Sequence, residues 1–146
     1  MANVTMQKFG YPASLLREFD HWVVLLRPGQ VTLGSLVLAA KSDVTAFGAL
    51  PPEAHAELAI VTKEIEATLK AAIGYERINY LMLMMVDPNV HFHVFPRYQG
   101  SRKFEGLDFE DRGWPGPPDL KSAVEIPVFT SGNLRNLLIE GWVIGY

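Results

Sequence analysis

Apolar positions along the chain change period several times, and each change marks an element. Ala54, Leu58, Val61, Ile65, Leu69 and Ala72 follow a 4-3-4-4-3 spacing. That spacing places them in one stripe on an amphipathic helix. Pro51 and Pro52 open this helix, where a missing N–H costs nothing, and Gly74 closes it. Shorter apolar runs at 15–19 and 22–26 read as two strands joined at Asp20 and His21 and followed by a Pro28-Gly29 turn. Residues 36–40 read as a third strand, and 77–86 and 90–95 as two more around an Asp87-Pro88 turn. Residues 99–120, rich in glycine and proline, read as a long loop. Residues 134–140 read as a short C-terminal helix capped by Ser131 or Asn133. Five strands with hairpin connections, one main helix and one short helix predict a single α+β domain over 1–146 with a mostly antiparallel sheet.

Two residues apart on the last of these strands stand His91 and His93. Side chains alternate faces along a strand. Val90, Phe92 and Val94 therefore share an apolar face that meets the core. Asn89, His91 and His93 share the other, with the histidine Cα atoms roughly 6 to 7 Å apart. A neutral imidazole is a good nucleophile toward phosphorus near neutral pH. A second imidazole and an amide beside it supply donors to phosphoryl oxygens. The same pair also suits a metal, which needs a third ligand from among Asp87, Asn89, His21 and His55. The plainest reading is a pair of solvated sheet residues. On the first hairpin, Phe19, Trp22 and Leu25 are either core or the wall of an apolar slot. Which face Asn79 takes depends on a one-residue register choice.

Composition narrows these options. The chain has 146 residues and a net charge of −3, so a general nucleic-acid partner is not expected. It has no cysteine, which removes disulfides, thiolate metal sites and thiol nucleophiles. No apolar run approaches the roughly 20 residues of a spanning helix, and residues 1–10 do not read as a targeting segment. A cytoplasmic protein with no membrane partner is the expectation. Residues 91–103 hold three bases, Arg97, Arg102 and Lys103, and no acid. This base-only stretch beside the histidines suits a small anion, or it is chance clustering. Trp142 and Tyr146 are candidates to reach a partner subunit, and Met82, Met84 and Met85 read as core or interface filler.

The run Asn89-Val90-His91-Phe92-His93-Val94-Phe95-Pro96-Arg97 resembles the signature of the histidine triad (HIT) family. That signature is His-φ-His-φ-His-φ-φ, with φ apolar, commonly followed by Pro-Arg. The order of elements over residues 15–98 is similar too. The resemblance implies a HIT-type fold, usually a homodimer, and nucleotidyl transfer or hydrolysis at the α-phosphate of a nucleotide without a cofactor. It implies His91 as the nucleophile that is transiently nucleotidylated and His93 as a phosphate contact. Asn89 and Arg97 would then assist at the phosphate, and Leu25 and Phe19 would line the base pocket. Several positions depart from the family pattern. Asn89 stands where the first triad histidine would be, and Ser35 where a further histidine often follows the glycine. Arg27 stands where an Asp or Asn would hold the ribose, and Val86-Asp87-Pro88 replaces a longer segment before the triad. These departures leave a second expectation, a non-catalytic nucleotide-binding or regulatory module on the same fold.

Overall fold

A computed structural model describes residues 2–145. Its centre is a pair of strands whose every residue is buried, β2 (Trp22–Leu26) and β4 (Leu36–Ala40). Continuous apolar runs of this kind belong to strands covered on both faces. Around them the elements follow in the order α1 (Val4–Lys8), β1 (Leu15–Glu18), β2, β3 (Gly29–Gln30), β4, α2 (Pro52–Ile73), β5 (Arg77–Leu81) and β6 (His91–Arg97). The hairpin β7 (Ser101–Phe104) and β8 (Leu107–Glu110) comes next, then β9 (Val124–Glu125) and α3 (Val128–Glu140). The main sheet is antiparallel throughout, in the order β1-β2-β4-β6-β5. The architecture is thus α+β around a five-stranded sheet, as the sequence predicts.

The two faces of the sheet are covered differently. Trp22, Val24 and Leu26 of β2 and Leu36, Leu38 and Ala40 of β4 face α2, where Ala54, Val61, Ile65 and Leu69 of the predicted stripe meet them. Gly74 ends α2 with φ 67, as expected, although the last buried position is Ile73 and Ala72 is exposed. On the opposite face the register lines up Val23, Ala39 and His91 in one row and Leu25, Val37 and His93 in the next. Directly opposed residues share a face, so the histidines stand on an apolar floor.

Four expectations need correction. No element is predicted before residue 15, yet α1 is there, and its Met6 and its C-cap residue Phe9 pack on Val23, Leu25, Val37 and Ala39. Strand β5 stops at Leu81 instead of continuing to 86. Its pairing with β6 ends where Leu81 lies opposite His93, and beyond that point the Asn89 N–H donates to Thr5 Oγ1. The segment 99–120 is not one loop, because β7 and β8 form a hairpin inside it. Its turn is Glu105-Gly106, with φ 49 and 81, a pair of positive values that matches the twist of a two-residue hairpin. Finally, α3 begins at Val128 rather than 134, with Pro127 as its N-cap residue and Thr130, Leu134 and Leu138 buried at helical spacing. The tail beyond α3 packs on its own chain, where Trp142 Nε1 donates to Glu64 Oε1 at 2.7 Å. Tyr146 lies outside the described residues. Among the described residues no helix is long and apolar enough to cross a membrane.

Candidate functional site

Asn89, His91 and His93 do lie on the face away from α2, but that face is not open. His91 is fully buried, His93 is 8% exposed and Asn89 6%. The cover is α1. Its Phe9 ring sits 5.7 Å from the His91 ring and 5.4 Å, edge-on, from that of His93. The expectation of solvated sheet residues therefore fails, because the N-terminal segment supplies a second layer there.

Each histidine is held in one tautomer by its partner. His91 Nδ1 lies 2.8 Å from the Asn89 carbonyl oxygen. A carbonyl only accepts, so Nδ1 carries a proton, and in the neutral ring Nε2 keeps the lone pair. That Nε2 is buried with no hydrogen-bond partner. Arg27 Nε donates to His93 Nδ1 at 3.3 Å. A guanidinium only donates, so Nδ1 accepts and the proton of the neutral ring is on Nε2. Burial, helped by the charge of Arg27 and by His91, pushes the His93 pKa down to about 4. The two rings are 5.1 Å apart and nearly perpendicular. Phe95 stacks on His93 at 6.1 Å, and Arg27 lies over Phe95 at 5.7 Å. The pair thus offers one ring nitrogen with a lone pair and one with an N–H.

Asn89 is tied at both ends of its amide. Its Oδ1 accepts from Thr5 Oγ1 at 3.0 Å and from Thr5 N at 3.3 Å, and its Nδ2 donates to the Asp43 carbonyl at 2.8 Å. In the covered state the amide oxygen is taken by Thr5 and one of the two Nδ2 donors by Asp43, so no free phosphate contact from Asn89 is formed here.

The base-only stretch does not converge on the histidines. Arg97 is 3% exposed and bound bidentately to Asp111, at 2.7 and 3.0 Å. It also donates to Asn79 Oδ1 at 2.7 Å and to the Gly116 carbonyl at 2.9 Å. Arg102 donates to the Ile73 and Gly74 carbonyls at the end of α2 and lies over Tyr98 at 4.4 Å. Lys103 pairs with Asp108 at 3.2 Å on the surface. The anion patch expected from sequence is instead a set of structural cross-links, and the cation that reaches the histidine pair is Arg27. Register also places Asn79, opposite Phe95, on the histidine face, but its oxygen goes to Arg97.

The remaining candidates divide. Leu25 belongs to the floor under Phe9. Phe19 and Trp22 pack into the core on the α2 side, which removes Phe19 from the histidine face as a base-pocket wall. Ser35 turns inward to its own loop, donating to the Thr32 carbonyl at 2.7 Å and accepting from Thr32 N at 3.1 Å. The sequence reading missed Thr5 and Phe9. The signal for them is local: Asn3 caps the Met6 N–H at 2.9 Å, and Met6 and Phe9 stand three residues apart on one side of that turn. Among the described residues no group of three or more His, Asp or Glu side chains is arranged to hold a metal ion.

No family model matches the chain, and no curated protein matches it in sequence. Its fold does match solved structures. A histidine triad protein from Sinorhizobium meliloti is 23% identical, with 97% of this chain and 96% of that one covered and a TM-score of 0.74. One from Marinobacter aquaeolei is 20% identical, with 98% and 99% covered and a TM-score of 0.75. A hypothetical histidine triad nucleotide-binding protein from Sulfolobus tokodaii is 17% identical, with 88% and 82% covered and a TM-score of 0.66. The chain therefore has the histidine triad fold.

Proposed function

We propose that the chain acts on a nucleotide at its α-phosphate, as a hydrolase or nucleotidyl transferase, with His91 as the nucleophile. The observation that carries this reading is the hydrogen bond from His91 Nδ1 to the Asn89 carbonyl, which leaves the lone pair on Nε2. In the neutral ring so held, the nucleophilic nitrogen is Nε2 and not Nδ1. His91 Nε2 forms a bond to the α-phosphorus, and the bond to the leaving group breaks with its electron pair. Water then displaces His91 and releases the nucleoside monophosphate. His93, whose proton is on Nε2, donates to a non-bridging oxygen, and Arg27 adds positive charge beside it. Leu25, with Val23, Val37 and Ala39, forms the apolar floor on which a base would lie. The nucleotide-binding description of the Sulfolobus tokodaii protein supports the same ligand class. A second copy of the chain is part of this reading. Strand β5 is an open sheet edge, and Met85 and Val86 just beyond it are 80% and 86% exposed.

The test is an acid-quenched reaction with a dinucleoside polyphosphate or a nucleoside phosphoramidate, followed by mass spectrometry of the protein. A nucleotidyl adduct on His91, and loss of monophosphate release in His91→Ala, are expected. Equal release by His91→Ala and the parent sinks the assignment. The commitment of Asn89 to Thr5 favours one other reading, a nucleotide-binding module without turnover. Calorimetric binding of a mononucleotide with no adduct on His91 would select it.

A further inference from the structure

The geometry points to the N-terminal segment as a displaceable lid over the histidine pair, with Asn89 as its latch. The inference rests on the proposed use of His91 and adds how that site is closed and opened. With Phe9 against both rings and His91 fully buried, no phosphate reaches Nε2 unless α1 moves.

The attachment of α1 is of a kind that can be undone as a unit. At five residues the helix is too short to hold its shape alone, so it depends on what it lies on. It joins no strand ladder. Asn3 Nδ2 donates to the Ala40 and Ser42 carbonyls, each at 2.9 Å. Thr5 and Asn89 exchange bonds in both directions: Asn89 Oδ1 accepts from Thr5, and the Asn89 N–H donates to Thr5 Oγ1 at 3.1 Å. Met6 and Phe9 supply the apolar part of the closure. Directly after them comes Gly10 at φ 90, a backbone state that glycine adopts without strain and that suits a hinge.

Closure also leaves something unsatisfied. His91 Nε2 is buried without a partner, and an orphaned polar atom disfavours the closed state. Opening gives that nitrogen water or substrate. Asn89 explains itself in the same terms. Where the family pattern has a histidine, this chain has an amide whose oxygen holds the lid.

The test uses the full chain and no nucleotide. Diethyl pyrocarbonate carbethoxylates an imidazole nitrogen that carries a lone pair, and mass spectrometry reads the rate at each histidine. His55, half-buried on α2, is the internal reference. The variants are Thr5→Val, Asn3→Ala and, as a control that weakens the fold from the other face, Leu58→Ala. His91 should react about tenfold or more slowly than His55 in the parent chain. Thr5→Val and Asn3→Ala should each raise the His91 rate about fivefold by removing lid contacts. Leu58→Ala should leave it unchanged. The lid is overturned if His91 reacts as fast as His55 in the parent. It is also overturned if His91 follows global unfolding in every variant, as read by amide exchange at Leu38. Unchanged nucleotide release in His91→Ala would sink the nucleophile assignment instead and would leave these rates as they are.

Discussion

Arg27 Nε donates to His93 Nδ1 at 3.3 Å, while His91 Nδ1 donates to the Asn89 carbonyl at 2.8 Å. Neighbouring histidines on one strand are therefore fixed in opposite tautomers, one presenting a lone pair at Nε2 and the other a proton. Nitrogen-15 NMR distinguishes the two. His91 should show its proton on Nδ1 and His93 on Nε2. In Arg27→Met, which keeps the stem and removes the guanidinium, the His93 pKa should rise from about 4 by the share that Arg27 contributes, while burial, the larger cause, still holds it below the ordinary 6.5 and His91 keeps its tautomer. The same tautomer at both rings in the parent would refute the arrangement.

Stability should follow the titration of His93. Its folded pKa, about 4, lies below the unfolded value near 6.5. Between these values the unfolded chain binds more protons than the folded one. The contribution is fully present above about pH 6.5, falls as pH drops toward 4, and amounts to about 3 kcal/mol over that window. Urea unfolding of the parent and of His93→Gln at pH 7 and pH 4.5 measures it. The parent should lose more stability than the variant, since the other titrating groups are common to both. An equal loss in the two chains contradicts the shift.

How far the sequence reaches depends on whether a residue's role is set locally. The stripe from Ala54 to Leu69 is legible from its helical period, and β2 and β4 from their short unbroken apolar runs. The face of His91 is legible from the period-2 alternation of residues 89–95. Its burial was not legible, because the cover comes from residues 84 positions away through Thr5 and Asn89. Arg97 shows the same limit. Its place beside the motif suggests phosphate, but Asp111, 14 residues on, claims it. The Glu105-Gly106 hairpin was legible in principle, since positive φ at both turn positions favours glycine there. The density of glycine and proline around it obscured the signal.

Metal removal should leave turnover unchanged. Of the four ring nitrogens on the histidine pair, His91 Nδ1 is bonded to a carbonyl and His93 Nδ1 accepts from Arg27. With the His93 proton on Nε2, the free acceptor is His91 Nε2 alone. One ligand does not make a site. Elemental analysis of the purified protein should find no stoichiometric transition metal, and a chelator should not slow monophosphate release. A chelator-sensitive rate restored by zinc would contradict this account of the pair.

The pair of Arg97 and Asp111 decides whether the Pro-Arg end of the motif works as site or as strut. Their side chains are 3% and 1% exposed, and Asp111 Oδ2 also accepts from Tyr98 N at 3.1 Å. Removing the carboxylate leaves a buried guanidinium uncompensated. Asp111→Ala should therefore destabilise the fold by about 3–5 kcal/mol in urea unfolding. Arg97→Lys should not rescue the geometry, since an ammonium cannot make two parallel bonds to one carboxylate while also reaching Asn79 and Gly116. At temperatures where the variants remain folded, KM for a nucleotide should stay within about twofold of the parent, because the strut sits roughly 13 Å along the strand from His93. A large rise in KM without loss of stability would return Arg97 to the phosphate.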